Sequence, residues 1–133
     1  MPNHWLLKTE PNTYSYADLE RDRRTTWDGV TNALALKHLR AMKVGDFAFI
    51  YHTGDEKQIV GIAEIVTDGH PDPKDARLTV VDLRPSKRLK KPVTLADVKA
   101  RKEFADFELV RIGRLSVMPV SRERWKSLLA LAG

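Results

Sequence analysis

The segment T-T-W-D-G-V-T-N, Thr25 to Asn32, brings an indole, a carboxylate and a carboxamide into eight positions. The indole face of Trp27 suits stacking on a planar heterocycle, worth ~1–3 kcal/mol per base in single-strand binders. It equally suits plugging a core. Asn32 carries a paired donor and acceptor that match the edge of a base. Asparagine is also a leading helix N-cap, its oxygen accepting from a free N–H of the first turn. Asp28-Gly29 makes a turn, and Asp28 is the acid nearest Trp27 if acid–base chemistry occurs here. Arg23 and Arg24 precede this segment, and R-P-S-K-R-L-K-K, residues 84–91, adds Lys87, Arg88, Lys90 and Lys91. Two readings stand for these cations: phosphate contacts or a solvated surface.

Tyr51 and His52 are consecutive in an apolar run, so they point to opposite faces of a strand. At most one of them faces a given pocket unless a bulge intervenes. His52 alone reads as a hydrogen-bonded structural histidine, and as the base if the protein is an enzyme. The four histidines show no ligand spacing and the chain has no cysteine, so no metal site and no thiolate nucleophile are expected. No G-x-S-x-G elbow, Walker loop or G-x-G-x-x-G is present. Asp55-Glu56 falls in a turn, where solvation explains it. No catalytic set and no cofactor are expected.

The elements that must position these groups are short. N-H-W-L-L-K-T reads as a strand over residues 3–9, closed by Pro11. Ser15-x-x-Asp18 is a capping-box signal for a brief helix. From Val30 to Met42, Ala35, Leu36, Leu39 and Met42 fall on one stripe about 120° wide. Asn32 lies about 20° from Leu39 and is expected inward, whereas Leu34, about 140° away, is expected outside. D-F-A-F-I-Y-H-T and Q-I-V-G-I-A-E-I-V make a hairpin over residues 46–66. T-D-G-H-P-D-P-K-D reads as a loop, and R-L-T-V-V-D-L-R-P-S-K-R-L as a strand bending at Pro85. Thr94-x-x-Asp97 caps L-A-D-V-K-A-R. R-L-S-V-M-P-V is the last strand, and Ser121 caps R-E-R-W-K-S-L-L-A-L-A. Five or six strands broken by short helices, without regular βαβ alternation, give an α+β domain on a small mixed or antiparallel sheet, curled toward a barrel.

The chain has 133 residues, 42% hydrophobic and 31% charged, the size and mixture of one folded domain over 1–133. A net charge of +5 favours polyanionic partners without requiring one. M-P-N-H-W-L-L-K-T-E-P lacks the basic and apolar regions of a signal peptide, and no segment approaches a membrane span. A cytoplasmic monomer without membrane attachment is expected, nuclear in a eukaryote.

Taken in order, W-L-L-K-T-E-P, T-Y-S-Y-A-D-L, T-T-W-D-G-V-T-N, L-R-A-M-K-V-G-D-F-A-F-I-Y-H-T-G, I-V-G-I-A-E-I-V and R-L-S-V-M-P-V-S resemble the EVE domain family across nearly the whole chain. The resemblance implies a PUA-like fold, a small bent β-barrel flanked by short helices. It also implies a cleft between barrel and helices that accepts a modified or flipped base, and hence DNA or RNA carrying such a base as partner. On the matching motifs it places Lys8, Thr9, Trp27, Asp28, Asn32, Tyr51 and His52 at that cleft. The basic residues Arg23, Arg24, Lys87, Arg88, Lys90 and Lys91 are the candidates for phosphate. Where members commonly show V-R-N-Y-Q-A-R-N, this chain has Thr31, Ala33, Leu34 and Leu36 in place of Arg, Tyr, Gln and Arg, which implies a larger or more apolar rim. The rivals are an enzyme on modified nucleic acid or nucleotide, using Asp28 and His52, and a protein-interaction module using Leu34.

Overall fold

The computed structural model describes residues 2–133. Strands β1 (His4–Thr9), β2 (Thr25–Trp27), β3 (Phe47–His52), β4 (Gln58–Ile65), β5 (His70–Asp72), β6 (Asp75–Thr94) and β7 (Val117–Val120) run β2-β6-β4-β3-β1-β7, with β5 set against the start of β6. Helices α1 (Tyr16–Asp22), α2 (Ala33–Ala41), α3 (Leu95–Lys99), α4 (Glu108–Arg111) and α5 (Arg122–Leu131) lie around this curled sheet. β1 and β3 are parallel, with Leu6 opposite Phe49, and the remaining pairs are antiparallel.

Trp5, Leu6 and Leu7 are buried in succession, so β1 is covered on both faces. Trp125 of α5 stacks on Phe49 at 3.9 Å and meets the ring of His4 on one side, while Trp5 faces His38 of α2 on the other. The buried Trp5 indole donates to Asp46 Oδ2 at 2.9 Å, and the backbone N–H groups of Asn3 and Lys43 donate to the same carboxylate. That buried charge is held by three donors, as burial demands.

The curl comes from register shifts. β6 is 20 residues long and slips against β4 where Pro85 faces Ala63, since proline offers no N–H to the ladder. A second slip lies between Ile59 and Gly61. A Cβ at Gly61 would stand 2.5 Å from the Tyr16 ring, so only glycine lets that ring lie on the sheet. Tyr16 then donates its hydroxyl to the Ile62 carbonyl at 2.8 Å.

Six strands form the main path of the sheet, within the expected five or six, and the short β5 adds a seventh beside β6. Several expectations need correction. T-T-W, given no element from the sequence, is the edge strand β2, with Trp27 opposite Val81. The expected loop over T-D-G-H-P-D-P-K-D contains β5. α2 starts at Ala33 rather than Val30, because Asn32 is its N-cap, exposed rather than inward. A 3-10 turn at Lys102–Phe104 and α4, neither anticipated, put Phe104 and Phe107 into the core. The capping boxes at Ser15 and Thr94 and the cap at Ser121 are formed as the spacing predicts. Among the described residues no helix is long and apolar enough to cross a membrane.

Candidate functional site

The open seam of the curled sheet holds a cleft of about 690 Å³. One wall comes from the end of β1 and the approach to β7, with Lys8, Thr9, Arg114 and Ser116. The other comes from β2 and the approach to α2, with Trp27, Asp28, Thr31 and Asn32, and Tyr14 closes the end between β1 and α1.

Five of the seven residues expected at the cleft line it: Lys8, Thr9, Trp27, Asp28 and Asn32. Trp27 is only 8% exposed, so it is both core plug and part of the cleft wall. With ~250 Å² for a whole tryptophan, that leaves on the order of 20 Å² of ring for a ligand. Tyr14 packs edge-on against it and donates its hydroxyl to Asp22 Oδ2 at 2.9 Å. Asn32 Oδ1 accepts from the Ala35 N–H at 3.0 Å, which leaves the amide hydrogens of Nδ2 as its free contribution to the cleft. The Thr9 hydroxyl donates to the Tyr14 carbonyl at 2.7 Å, so toward a ligand it can only accept.

Tyr51 and His52 do not line the cleft, which corrects their expected placement. β3 is a central strand covered on both faces from Ala48 to His52, so both side chains are interior, 3% and 6% exposed. Tyr51 lies beneath Lys8, whose Nζ is 5.6 Å from its ring centroid, and burial raises the pKa of its phenol. His52 Nε2 accepts from the Tyr16 N–H at 3.0 Å, and Nδ1 meets Glu56 Oε1 at 2.9 Å. A nitrogen facing a backbone N–H must be unprotonated, so the ring carries its proton on Nδ1 and neither nitrogen is left for substrate. The pairing of Asp28 with His52 as acid and base therefore does not exist here.

The expected phosphate residues also sort differently. Arg24 is engaged with Asp82 at 2.9 Å, and Arg88 pairs with Glu20 while lying over the Tyr16 ring. Lys87, Lys90 and Lys91 are exposed but sit farther along β6, beyond the segment that pairs with β2. Arg23 is the left-handed C-cap of α1, exposed and outside the cleft lining. The cations that do line the cleft are Lys8 and Arg114. Lys8 donates to the Gly113 carbonyl at 2.9 Å, and burial lowers the pKa of its ammonium. Arg114 escapes a reading by periodicity because it begins an apolar run that resembles a strand, whereas the ladder of β7 starts at Val117. Among the described residues no group of His, Asp or Glu has the arrangement of a metal site.

Residues 3–131 match the EVE domain. A Rhodopseudomonas palustris protein solved by NMR is 44% identical with a TM-score of 0.94, covering 98% of this chain and 93% of that one. Human thymocyte nuclear protein 1 is 28% identical over 167 residues, covering 98% of this chain and 74% of that protein. Its crystal structure in complex with 5-methylcytosine containing DNA superposes with a TM-score of 0.90 over 98% of this chain and 97% of that one. An ASCH protein from Zymomonas mobilis, 13% identical with a TM-score of 0.63 over 97% of this chain and 95% of that one, shares the fold alone. The curled sheet with its short helices is thus a PUA-like fold. By the match over nearly its whole length, this chain belongs to the EVE domain family.

Proposed function

We propose that this chain is a nucleic-acid reader that takes one modified or flipped base of DNA or RNA into the seam cleft. The observation that carries the reading is the cleft itself, where Trp27, the Asn32 amide and two cations converge in about 690 Å³. That volume is within the ~300–1,000 Å³ common for small-molecule sites. Support comes from human thymocyte nuclear protein 1, a relative of the same fold crystallised with 5-methylcytosine containing DNA.

The energetics assign roles. Extruding a base costs a few kcal/mol, least when it is already unpaired. The strip of Trp27 open to the cleft, on the order of 20 Å², contributes only ~0.5 kcal/mol by area. Edge hydrogen bonds from Asn32 Nδ2 and the threonine hydroxyls, with phosphate contacts, supply the remainder. The reader acts as a monomeric domain over 1–133, where its nucleic acid is: the cytoplasm of a bacterium or the nucleus of a eukaryote.

The test is direct binding to matched oligonucleotides, plain and carrying 5-methylcytosine or other modified bases, each in DNA and RNA and at two salt concentrations. A reader favours at least one modified strand over its plain match, and that ratio survives added salt while overall affinity falls. Equal binding of every modified and plain pair sinks the proposal.

A further inference from the structure

We infer that Lys8 and Arg114 form a phosphate clamp on the β1–β7 wall of the cleft, gripping a phosphate that flanks the bound base. This rests on the reader function proposed above and assigns the second half of the nucleotide to a second wall. Trp27 and Asn32 stand on the β2–α2 wall, so base and phosphate have separate sides of one cleft.

Three observations carry it. First, both cations line the cleft and neither has an ion-pair partner among the described residues. Arg24 and Arg88, by contrast, are committed to Asp82 and Glu20. Second, the two are fixed as neighbours. The Lys8 N–H donates to the Ser116 carbonyl at 2.9 Å, and Lys8 Nζ donates to the carbonyl of Gly113, the residue before Arg114. Two bonds therefore lace the end of β1 to the segment 113–116 on either side of Arg114.

Third, nearby acids do not neutralise the pair. Glu10 and Asp28 also line the cleft, but Glu10 accepts from the Asn12 backbone N–H at 2.6 Å and neither carboxylate forms an ion pair with Lys8 or Arg114. Lys8 and Arg114 border the same cleft, so an anion seated there meets both charges. Partial burial also disfavours the charged form of Lys8, and a phosphate oxygen reverses that preference. A guanidinium offers a planar fork and an ammonium a point charge, a combination suited to one tetrahedral anion.

The test uses DNA oligonucleotides carrying a single 5-methylcytosine, in which one phosphodiester is replaced by an uncharged methylphosphonate. The neutral linkage is placed immediately 5′ of the base, immediately 3′ of it, or several nucleotides away. Wild-type protein is expected to lose about tenfold in affinity for one of the two adjacent replacements. Arg114→Gln loses a similar factor on the fully charged strand, and combining it with that replacement costs nothing further, the signature of a direct pair. Lys8→Gln behaves in the same way. The distant replacement gives factors that multiply. Arg114 is exposed, so an unchanged thermal midpoint for Arg114→Gln is expected and separates the effect from misfolding.

Factors that multiply at both adjacent linkages, or an Arg114→Gln protein that binds like wild type, overturn the clamp. Loss of the underlying reader is distinguishable: wild-type protein then binds methylated and plain strands alike, whatever Arg114 does.

Discussion

Tyr14 stands edge-on to Trp27, with ring centroids 6.3 Å apart and planes meeting at 87°. Edge-to-face pairs of this kind contribute ~0.5–1.5 kcal/mol beyond area burial. The bond from the Tyr14 hydroxyl to Asp22 ties the pair to α1, so the aromatic corner of the cleft is built before any ligand arrives. Removing the indole has two consequences that must be separated. Trp27→Ala leaves a core cavity and is expected to cost about 3–5 kcal/mol of stability along with base discrimination. Trp27→Phe keeps most of the packing, and its thermal midpoint should fall far less. Its ratio of modified to plain oligonucleotide affinity, measured well below that midpoint, is expected to drop by about twofold, the share that ~0.5 kcal/mol allows. A stable Trp27→Phe protein with full discrimination would remove Trp27 from the base-reading wall.

His52 links stability to pH through Glu56. The hydrogen bond from His52 holds the Glu56 carboxyl below its ordinary value of 4.5, and Gln58 adds a second one. A carboxylate with a depressed folded pKa contributes stability above its unfolded pKa and loses it as the pH falls through the lowered folded value. Denaturant midpoints of the wild type should therefore fall more steeply with acid below pH 4.5 than those of Glu56→Gln. The effect is small, since Glu56 is substantially exposed and solvent screens the pair. His52→Ala is different in kind: it strands the buried N–H of Tyr16 and is expected to cost about 1–3 kcal/mol at neutral pH. Identical acid profiles for wild type and Glu56→Gln would show that this carboxylate has no part in folding.

Local chemistry was legible in the sequence, and long-range chemistry was not. The caps at Ser15, Thr94 and Ser121 follow from a side-chain oxygen three residues before a free N–H, which any reading of spacing finds. The hairpin of β3 and β4 follows from two apolar runs about a turn. By contrast β2 and β5 are three residues each, too short for a period, and exist because β6 offers them a ladder. Tyr51 and His52 are interior because β3 lies between β1 and β4 with both of its faces covered, a long-range arrangement that F-A-F-I-Y-H does not announce. Lys8 meets Gly113 across 105 positions, so the cationic wall becomes visible only once β1 and the approach to β7 are side by side.

Asn32 was open to two readings, helix cap or ligand contact, and its two amide atoms allow both to be tested in one residue. Oδ1 is spent on the Ala35 N–H, whereas Nδ2 has no partner among the described residues and borders the cleft. Asn32→Asp keeps an oxygen for the cap and places a negative charge at the positive end of α2, so stability should hold or rise slightly. The same change removes the only N–H donor of the side chain and sets a charge where a base edge would accept, so affinity for the preferred modified strand should fall tenfold or more. Asn32→Ala removes donor and cap together and is expected to cost about 1 kcal/mol of stability besides. Thermal melts and oligonucleotide titrations on the two variants separate the functions. If Asn32→Asp binds as well as wild type, Asn32 is a cap alone, and the edge of the base must be read by the threonine hydroxyls around it.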